Sequence, residues 1–226
     1  MSNTYSSGAT ARADRATVLV TIALLTAACA STSRKEKGAV IGTVAGASIG
    51  GVIGNNTGST ARGAIIGAVV GGTAGAIVGH QMDQQAKELK LEIPGAIVER
   101  VGEGIQVTFA SGLLYDFDSD VIRVEAGQNL HTLASSLRKY PNTQLLIVGH
   151  TDALGTTAYN QDLSARRASS ASRYLTVQGL GATRIQTFGK GELEPLAVNG
   201  TEAGRQLNRR IEVAIFAGDK ARTAGQ

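Results

Sequence analysis

A glycine at every fourth position, in two separate runs, constrains the fold of this chain more than any other feature of its sequence. The glycines stand at 38, 42, 46, 50 and 54, and then at 63, 67, 71, 75 and 79. Because an α-helix turns once in about 3.6 residues, each run follows one slowly drifting helix face. Glycine destabilises a helix in water by about 1 kcal/mol relative to alanine, whereas in lipid it lets two helices approach closely. We therefore predict that residues 38–79 form a helical hairpin packed along its glycine ridges, with a turn at 55–60.

The two glycine arms are near the lower length limit for a membrane span, since each holds about 16 to 18 uncharged residues. The sequence leaves open whether the hairpin spans the membrane, lies on it or forms a homo-oligomer. A flexible glycine-rich spacer is the alternative, but spacers are usually rich in serine and lack a strict period. The pattern favours a membrane-associated or self-associating hairpin.

The amino end carries an export signal. Arg12 and Arg15 precede "ATVLVTIALLTAACA", an apolar run that is too short for an ordinary membrane span. The run ends in "LTAAC", which resembles a bacterial lipoprotein signal whose cysteine, here Cys29, becomes the acylated amino terminus. An ordinary export signal cleaved after an alanine is the alternative. Ala30 replaces the aspartate that retains such lipoproteins in the inner membrane, so the resemblance implies a palmitate-bearing outer-membrane anchor. The predicted segments are a signal peptide at 1–28 and a short linker at 29–37.

Two further segments lead into the globular part. Residues 80–95 are polar and helix-prone up to Pro94, and are predicted to be a helical linker. Residues 96–109 alternate apolar and polar side chains on both sides of Gly102-Glu103-Gly104, which predicts a β-hairpin.

From residue 110 to 217 the pattern alternates between strand and helix. Helices are predicted at 125–140 and 158–179, and strands at 144–150, 184–189 and 210–216, the last two as a hairpin-like pair. Helices that separate strands in this way give an α/β (α+β) sandwich, with the helices on one face of a mixed sheet. Residues 218–226 are predicted to be a flexible tail.

Several classes of function are disfavoured by the residues that are absent. A single cysteine excludes an internal disulfide framework and a cysteine zinc site, and three scattered histidines argue against a histidine metal site. We expect no metal and no cofactor. The net charge of +4 is dispersed, without a basic stripe, so nucleic acid is not an expected partner.

Catalysis is also not expected. His150 has no paired nucleophile and is interpreted as structural. Asp116 and Asp118 are two residues apart, but no general acid can be assigned to them, so they are interpreted as residues that order the rim of a site.

Four blocks carry a family resemblance: "YDFDSD", "GHTDALGTTAYNQDLSARRA", "GKGELEPLAVN" and "NRRIEV". Their order and spacing over about residues 112–216 resemble the OmpA-like, peptidoglycan-binding domain, which implies a βαβαββ fold. Together with the lipoprotein signal and the glycine hairpin, they resemble the YiaD type of outer-membrane lipoprotein. The resemblance implies peptidoglycan as a partner, and outer-membrane lipid as a second one.

The same resemblance implies the site residues. It places diaminopimelate of the peptidoglycan stem peptide on Asp152 of the GHTD block and Arg167 of the LSxxRA block. Asn160 resembles a ligand-contacting asparagine, with capping of the second helix as the alternative. The resemblance also implies that one arginine of the NRR block faces the pocket, and it leaves Arg209 and Arg210 as alternatives. Strand alternation sends Arg209 and Arg210 to opposite faces, and Arg210 is the one selected.

The chemistry of the ligand fits this pair. The side-chain end of meso-diaminopimelate carries an ammonium and a carboxylate. Asp152 offers only acceptors for the ammonium, and Arg167 offers a planar fork for the carboxylate. Asp152 also follows a strand, at the end where α/β folds commonly place ligands. A structural ion pair between the two residues is the alternative.

These observations predict a non-enzymatic tether that holds the outer membrane to the cell wall, with its globular domain in the periplasm. A glycine-zipper oligomer or pore that uses this domain as a wall anchor is the alternative function. An ion conductor is disfavoured, because neither glycine arm contains an ionisable residue.

Overall fold

The structure is a computed structural model that describes residues 58–70 and 76–218. The helices are α1 (Thr60–Val70), α2 (Ala76–Glu92), α3 (Ser111–Leu114), α4 (Ala126–Lys139), α5 (Thr157–Val177) and α6 (Glu202–Asn208), with a 3₁₀ turn at Ala182–Arg184. The strands are β1 (Ala96–Val101), β2 (Gly104–Ala110), β3 (Thr143–His150), β4 (Ile185–Gly191) and β5 (Arg210–Ala217). The predicted signal peptide, Cys29 with its linker, the first glycine arm and residues 219–226 lie outside the described residues.

The five strands form one mixed sheet in the order β1-β2-β5-β3-β4. The pair β3–β4 is parallel and the other pairs are antiparallel. Taken in chain order, β2, α4, β3, α5, β4 and β5 give the predicted βαβαββ arrangement, so the predicted fold class is confirmed. The predicted hairpin at 96–109 is also confirmed as β1 and β2, and β2 is the first strand of this arrangement, so the sheet begins before residue 110.

The prediction that the last two strands form a hairpin-like pair is wrong. β4 pairs with β3 at one edge of the sheet, whereas β5 lies in the centre between β2 and β3. The segment between β4 and β5, which contains the unpredicted helix α6, carries the chain from the edge to the centre. The alternation of apolar and polar residues in β4 and β5 does not predict that the chain crosses from the edge to the centre. Alternation defines the two faces of a strand and not the strands beside it.

The main core lies on the face of the sheet that α2, α4 and α5 cover. The inward residues predicted for the two long helices are all buried: Leu130, Leu133, Ala134 and Leu137 of α4, and Leu163, Ala168, Ala171 and Leu175 of α5. All of them except Leu163 belong to one core cluster with Ile105, Val107, Ile147, Ile211, Val213 and Ile215 of the strands. Met82, Ala86 and Leu89 of α2 belong to the same core, so the predicted helical linker packs on the domain.

α1, which contains the first part of the second glycine arm, packs on the opposite face of the sheet. Ala61, Ala64, Ile65 and Ala68 contact strand residues there. α2 begins at Ala76 inside the glycine segment and continues through the predicted linker to Glu92, just before Pro94. The glycine hairpin as a whole stays a prediction. Within residues 58–70 and 76–218, no helix has the length and apolar character needed to cross a bilayer.

Candidate functional site

The site is built where β3 ends and α5 begins. β3 ends at His150, Asp152 follows in the connecting loop, and Thr156 caps α5 by accepting a hydrogen bond on its Oγ1 from the Tyr159 N–H at 3.2 Å. Arg167 lies in the third turn of α5. The parallel strand–helix–strand unit therefore puts Asp152 in the loop after β3 and Arg167 on the helix that follows, as expected from the sequence.

Two glycines let α5 lie directly on the sheet. A Cβ at Gly149 would stand 2.1 Å from the Ser164 carbonyl oxygen, and a Cβ at Gly189 would stand 2.5 Å from the Ala165 nitrogen. Both distances are far below van der Waals contact, so only glycine fits at these positions. This close approach fixes the distance between α5, which carries Arg167, and the sheet.

Asp152 is almost fully buried, and both oxygens of its carboxylate are engaged. Oδ1 accepts a hydrogen bond from the Leu154 N–H at 3.0 Å, and Oδ2 accepts one from Arg209 Nη1 at 2.6 Å. The neighbouring Ala153 N–H donates to Asn199 Oδ1, which holds the loop to the segment before α6. The ion-pair partner of Asp152 is thus Arg209, and the structural pair between Asp152 and Arg167 is not formed.

Arg167 is 4% exposed, and the structure records one hydrogen bond from its side chain to the described residues. Nε donates to the Ser119 carbonyl at 2.8 Å, and the guanidinium carbon lies 5.3 Å from the centre of the Tyr115 ring. Among the residues that the structure describes, no acceptor or carboxylate contacts Nη1 or Nη2. Burial lowers the pKa of Arg167, but a guanidinium stays protonated in proteins, so a buried cation presents two free donors.

Tyr115 contacts both the backbone and the side chain of Arg167. It is 2% exposed, its hydroxyl donates to the Arg167 carbonyl at 2.7 Å, and burial raises the pKa of its phenol. The ring face attracts the guanidinium, because the aromatic quadrupole is negative there. Tyr115 therefore fixes both the backbone and the side chain of Arg167.

The loop after Tyr115 forms the rim of the site. An isolated bridge between Tyr115 and Ile122 closes the loop, and Asp118 has a φ of 57°. Asp118 Oδ1 accepts a hydrogen bond from the hydroxyl of Tyr159 on the first turn of α5. Asp118 thus lies at the rim, as predicted, and holds the loop that supplies the Ser119 carbonyl.

Asn160, which follows Tyr159 on α5, is 2% exposed. Its Nδ2 donates to Glu192 Oε2 at 2.6 Å, and Thr157 Oγ1 donates to Glu192 Oε1 at 2.9 Å. The cap of α5 is Thr156, so the capping alternative for Asn160 is wrong.

The two arginines of the NRR block lie on opposite sides, as strand alternation predicted, but Arg209 and not Arg210 reaches Asp152. Arg210 is 1% exposed and its Nε donates to Glu212 Oε1 at 2.7 Å, on the sheet face that α1 covers. Arg209 follows α6 and donates from Nη2 to Glu202 Oε1 at 2.6 Å. To choose between the two arginines, one must know which side of β5 faces the loop of Asp152. The helix α6, which was not predicted, determines that side.

Sequence reasoning gave no role in this site to Tyr115 and Ser119, which hold Arg167, or to Glu202 beside Arg209, and it selected Arg210 over Arg209. The NRR motif was the signal for Arg209, whereas nothing in the sequence indicated the Ser119 carbonyl. Among the described residues, no group of three or more His, Cys, Asp or Glu side chains is placed to bind a metal ion.

Comparison with known proteins places this geometry in a family context. Residues 114–209 match the model of the OmpA family, and residues 11–83 match the model of the YMGG-like Gly-zipper. The first match contains the site residues, and the second contains the glycine repeat.

Three curated relatives illustrate the range of similarity. Outer membrane protein A of Bordetella avium is 41% identical over 115 residues, which are 51% of this chain and 59% of that protein. Probable lipoprotein YiaD of Escherichia coli (strain K12) is 33% identical over 138 residues, 60% of this chain and 63% of that protein. The peptidoglycan-associated lipoprotein of Agrobacterium fabrum is 34% identical over 134 residues, 59% of this chain and 76% of that protein. The chain spans less than two thirds of the first two relatives.

Solved structures share the fold. The cell wall anchor of the T6SS from Pseudomonas aeruginosa superposes with a TM-score of 0.52 at 30% identity, over 60% of this chain and 96% of that one. A putative MotB-like protein from Desulfovibrio vulgaris has a TM-score of 0.55 at 23% identity, over 62% of this chain and 94% of that one, which is a likeness of fold alone.

Proposed function

The chain belongs to the OmpA family, and on that premise we propose that its globular domain binds peptidoglycan non-covalently, through the diaminopimelate of the stem peptide. The observation that carries the proposal is the buried guanidinium of Arg167, whose Nη1 and Nη2 have no acceptor among the described residues. A buried cation normally has a paired anion. Asp118 and Asp120 favour the charged form of Arg167, but neither forms an ion pair with it, and the ligand carboxylate supplies that pair.

The two ends of the ligand have complementary partners. The carboxylate of diaminopimelate accepts two parallel hydrogen bonds from Arg167, which is the geometry that a guanidinium fork favours. Its ammonium binds Asp152. A carboxylate has about four lone-pair sites, so Asp152 can keep its contacts with Leu154 and Arg209 and still accept the ammonium.

Asn160 and Arg209 complete the proposed site. The amide of Asn160 donates to Glu192, which leaves its Oδ1 as an acceptor for the ammonium. Arg209, in place of Arg210, orients Asp152 through its hydrogen bond to Oδ2.

We also propose that the protein tethers the outer membrane to the wall, with an acyl group on Cys29 and the globular domain in the periplasm. The names of the relatives, an outer membrane protein and two lipoproteins, support this location. Holding both partners at once raises the effective concentration of the domain at the wall, which can strengthen overall binding about 10²- to 10⁴-fold over a single weak contact.

Peptidoglycan chemistry tests the recognition step. Lysine-type peptidoglycan keeps the side-chain ammonium but lacks the carboxylate that Arg167 would bind. A charged hydrogen bond contributes about 1.5 to 3 kcal/mol, so the detergent-extracted full chain should bind lysine-type sacculi about ten- to a hundredfold more weakly than diaminopimelate-type sacculi in co-sedimentation. Free meso-diaminopimelate should compete with the stronger binding, and free lysine should not. Equal binding to both kinds of sacculi would contradict recognition of the carboxylate.

The anchor has its own test. Changing Cys29 to alanine removes the acylated residue, and the protein should leave the membrane fraction or be held there by its glycine segment only. Metabolic labelling with a palmitate analogue should mark the wild type and not Cys29→Ala. An unlabelled wild type would sink the lipoprotein proposal, while leaving the peptidoglycan proposal standing.

A further inference from the structure

Two neighbouring strands of the sheet, β3 and β5, carry apolar residues on both of their faces. β3 contains four consecutive apolar residues, 145–148, and β5 contains five, 213–217. A sheet with one solvated face alternates apolar and polar residues, whereas near-continuous apolar strands are found where both faces are buried. The sequence of these strands therefore calls for a second layer of protein opposite α4 and α5.

The second glycine arm provides this layer. Ala61, Ala64, Ile65 and Ala68 of α1 lie at spacings of three and four, on one side of the helix. They pack against Leu146, Val148, Ala214 and Phe216, each no more than 2% exposed. A Cβ at Gly104 would stand 2.5 Å from Ile65 Cγ2 and 2.6 Å from the Ile215 carbonyl, so this glycine makes room for the arm.

The start of α1 meets two glutamates of the domain. Ser59 Oγ donates to Glu212 Oε2 at 2.5 Å, and the Thr60 N–H donates to Glu194 Oε2 at 3.0 Å. A helix amino terminus has free N–H groups and a partial positive charge, so it favours carboxylates. Although burial raises the pKa of Glu212, its contacts with His150, Arg210 and Ser59 hold this pKa at about 2, and the glutamate is ionised beneath the arm.

Arg62 satisfies a second buried polar group. Its Nε donates to Gln106 Oε1 at 2.9 Å, and its guanidinium also pairs with Glu99. Gln106 is 4% exposed on this face. Two buried polar groups of this face, Glu212 and Gln106, thus have partners on the arm, which distinguishes a specific docking surface from an apolar patch.

We propose that this sheet face is a receptor for the second glycine arm of the same chain, and that residues 59–68 stay docked on the globular domain in the membrane-attached protein instead of entering the bilayer. An arm that covers the sheet cannot pair with the first arm inside lipid. This arrangement is independent of peptidoglycan binding.

Cysteine accessibility tests the proposal on the full chain in isolated membranes. Ala64→Cys faces the sheet and Ile66→Cys, at a side chain 43% exposed, faces away. A membrane-impermeant maleimide should label residue 66 at least about tenfold faster than residue 64, because labelling of a buried site requires local opening. Trypsin releases both positions in one peptide, residues 63–87, so mass spectrometry reads them without interference from Cys29. Both positions should react equally in sodium dodecyl sulfate.

Two other labelling results would each overturn the proposal. Protection of both positions would place the arm in lipid or inside a helical hairpin, and rapid labelling of both would make it a free spacer. Ala68→Cys, which also faces the sheet, repeats the comparison if Ala64→Cys fails to fold.

A second pair of variants tests the role of the Glu194 carboxylate at the start of α1. Glu194→Ala in the Ala64→Cys chain removes the partner of Thr60 and should speed labelling of residue 64 severalfold. Glu192→Ala removes a nearby glutamate that contacts α5 instead of α1, and should leave the labelling rate unchanged. Equal rates in all three chains would reject recognition of the helix amino terminus.

Discussion

Removal of the Arg167 guanidinium is expected to weaken binding to diaminopimelate-type sacculi about ten- to a hundredfold, since hydrogen bonds to charged groups contribute about 1.5 to 3 kcal/mol. Arg167→Ala leaves the ligand carboxylate without a partner. Arg167→Lys keeps the charge but loses the planar fork and the stacking on Tyr115, so it should recover only part of the loss. Asp152→Asn should weaken binding to a similar degree, because a neutral amide replaces the acceptor of the ammonium.

Arg166→Ala is the matched control for these variants. Arg166 is the neighbouring residue on α5, but its guanidinium is about two fifths exposed and pairs with Asp162 and Asp120 on the surface. Its removal should leave co-sedimentation within about twofold of the wild type, because exposed pairs contribute little. Circular dichroism of each variant verifies the fold before binding is compared. If folded Asp152→Asn and Arg167→Ala sediment as well as Arg166→Ala, the proposed site is wrong.

The Gly149→Ala variant is expected to lose about 3 kcal/mol of folding free energy, the upper part of the range for overpacked positions. Its Cβ would collide with the Ser164 carbonyl at 2.1 Å, a backbone atom of α5 that can move only with the helix. For a chain of this length the melting temperature should fall by roughly 6 to 12 °C. Because α5 carries Arg167, sacculus binding should weaken as well.

Gly112→Ala is the control for the glycine variant. A Cβ at Gly112 would meet no atom within 4 Å, and its φ is not positive. Alanine favours a helix over glycine, so the stability of this variant should match or slightly exceed that of the wild type. Melting curves followed by circular dichroism compare the two. A Gly149→Ala variant as stable as Gly112→Ala would rule out the close contact between β3 and α5.

Local patterns predicted most elements of the domain. The two long helices and the strands β1 to β5 were found from spacing, because each pattern reports the one or two faces that a segment buries. The short helices α3 and α6 were missed, since a segment of four or seven residues is too short to show a period. Asp152 and Arg167 were found through motifs, and both are buried side chains on consecutive elements.

The sequence by itself determined the inward faces of α4 and α5 and, through its motifs, the βαβαββ order and the two charged residues in the loop after β3 and in the third turn of α5. These features depend on residues that are close in the chain, so hydrophobic periodicity and motif spacing encode them directly. The tertiary structure alone decided that β5 lies between β2 and β3, that Arg209 reaches Asp152 while Arg210 pairs with Glu212, and that α1 covers the second face of the sheet. Alternation tells that two neighbouring side chains point to opposite faces, but which face meets which partner depends on packing between segments far apart in sequence.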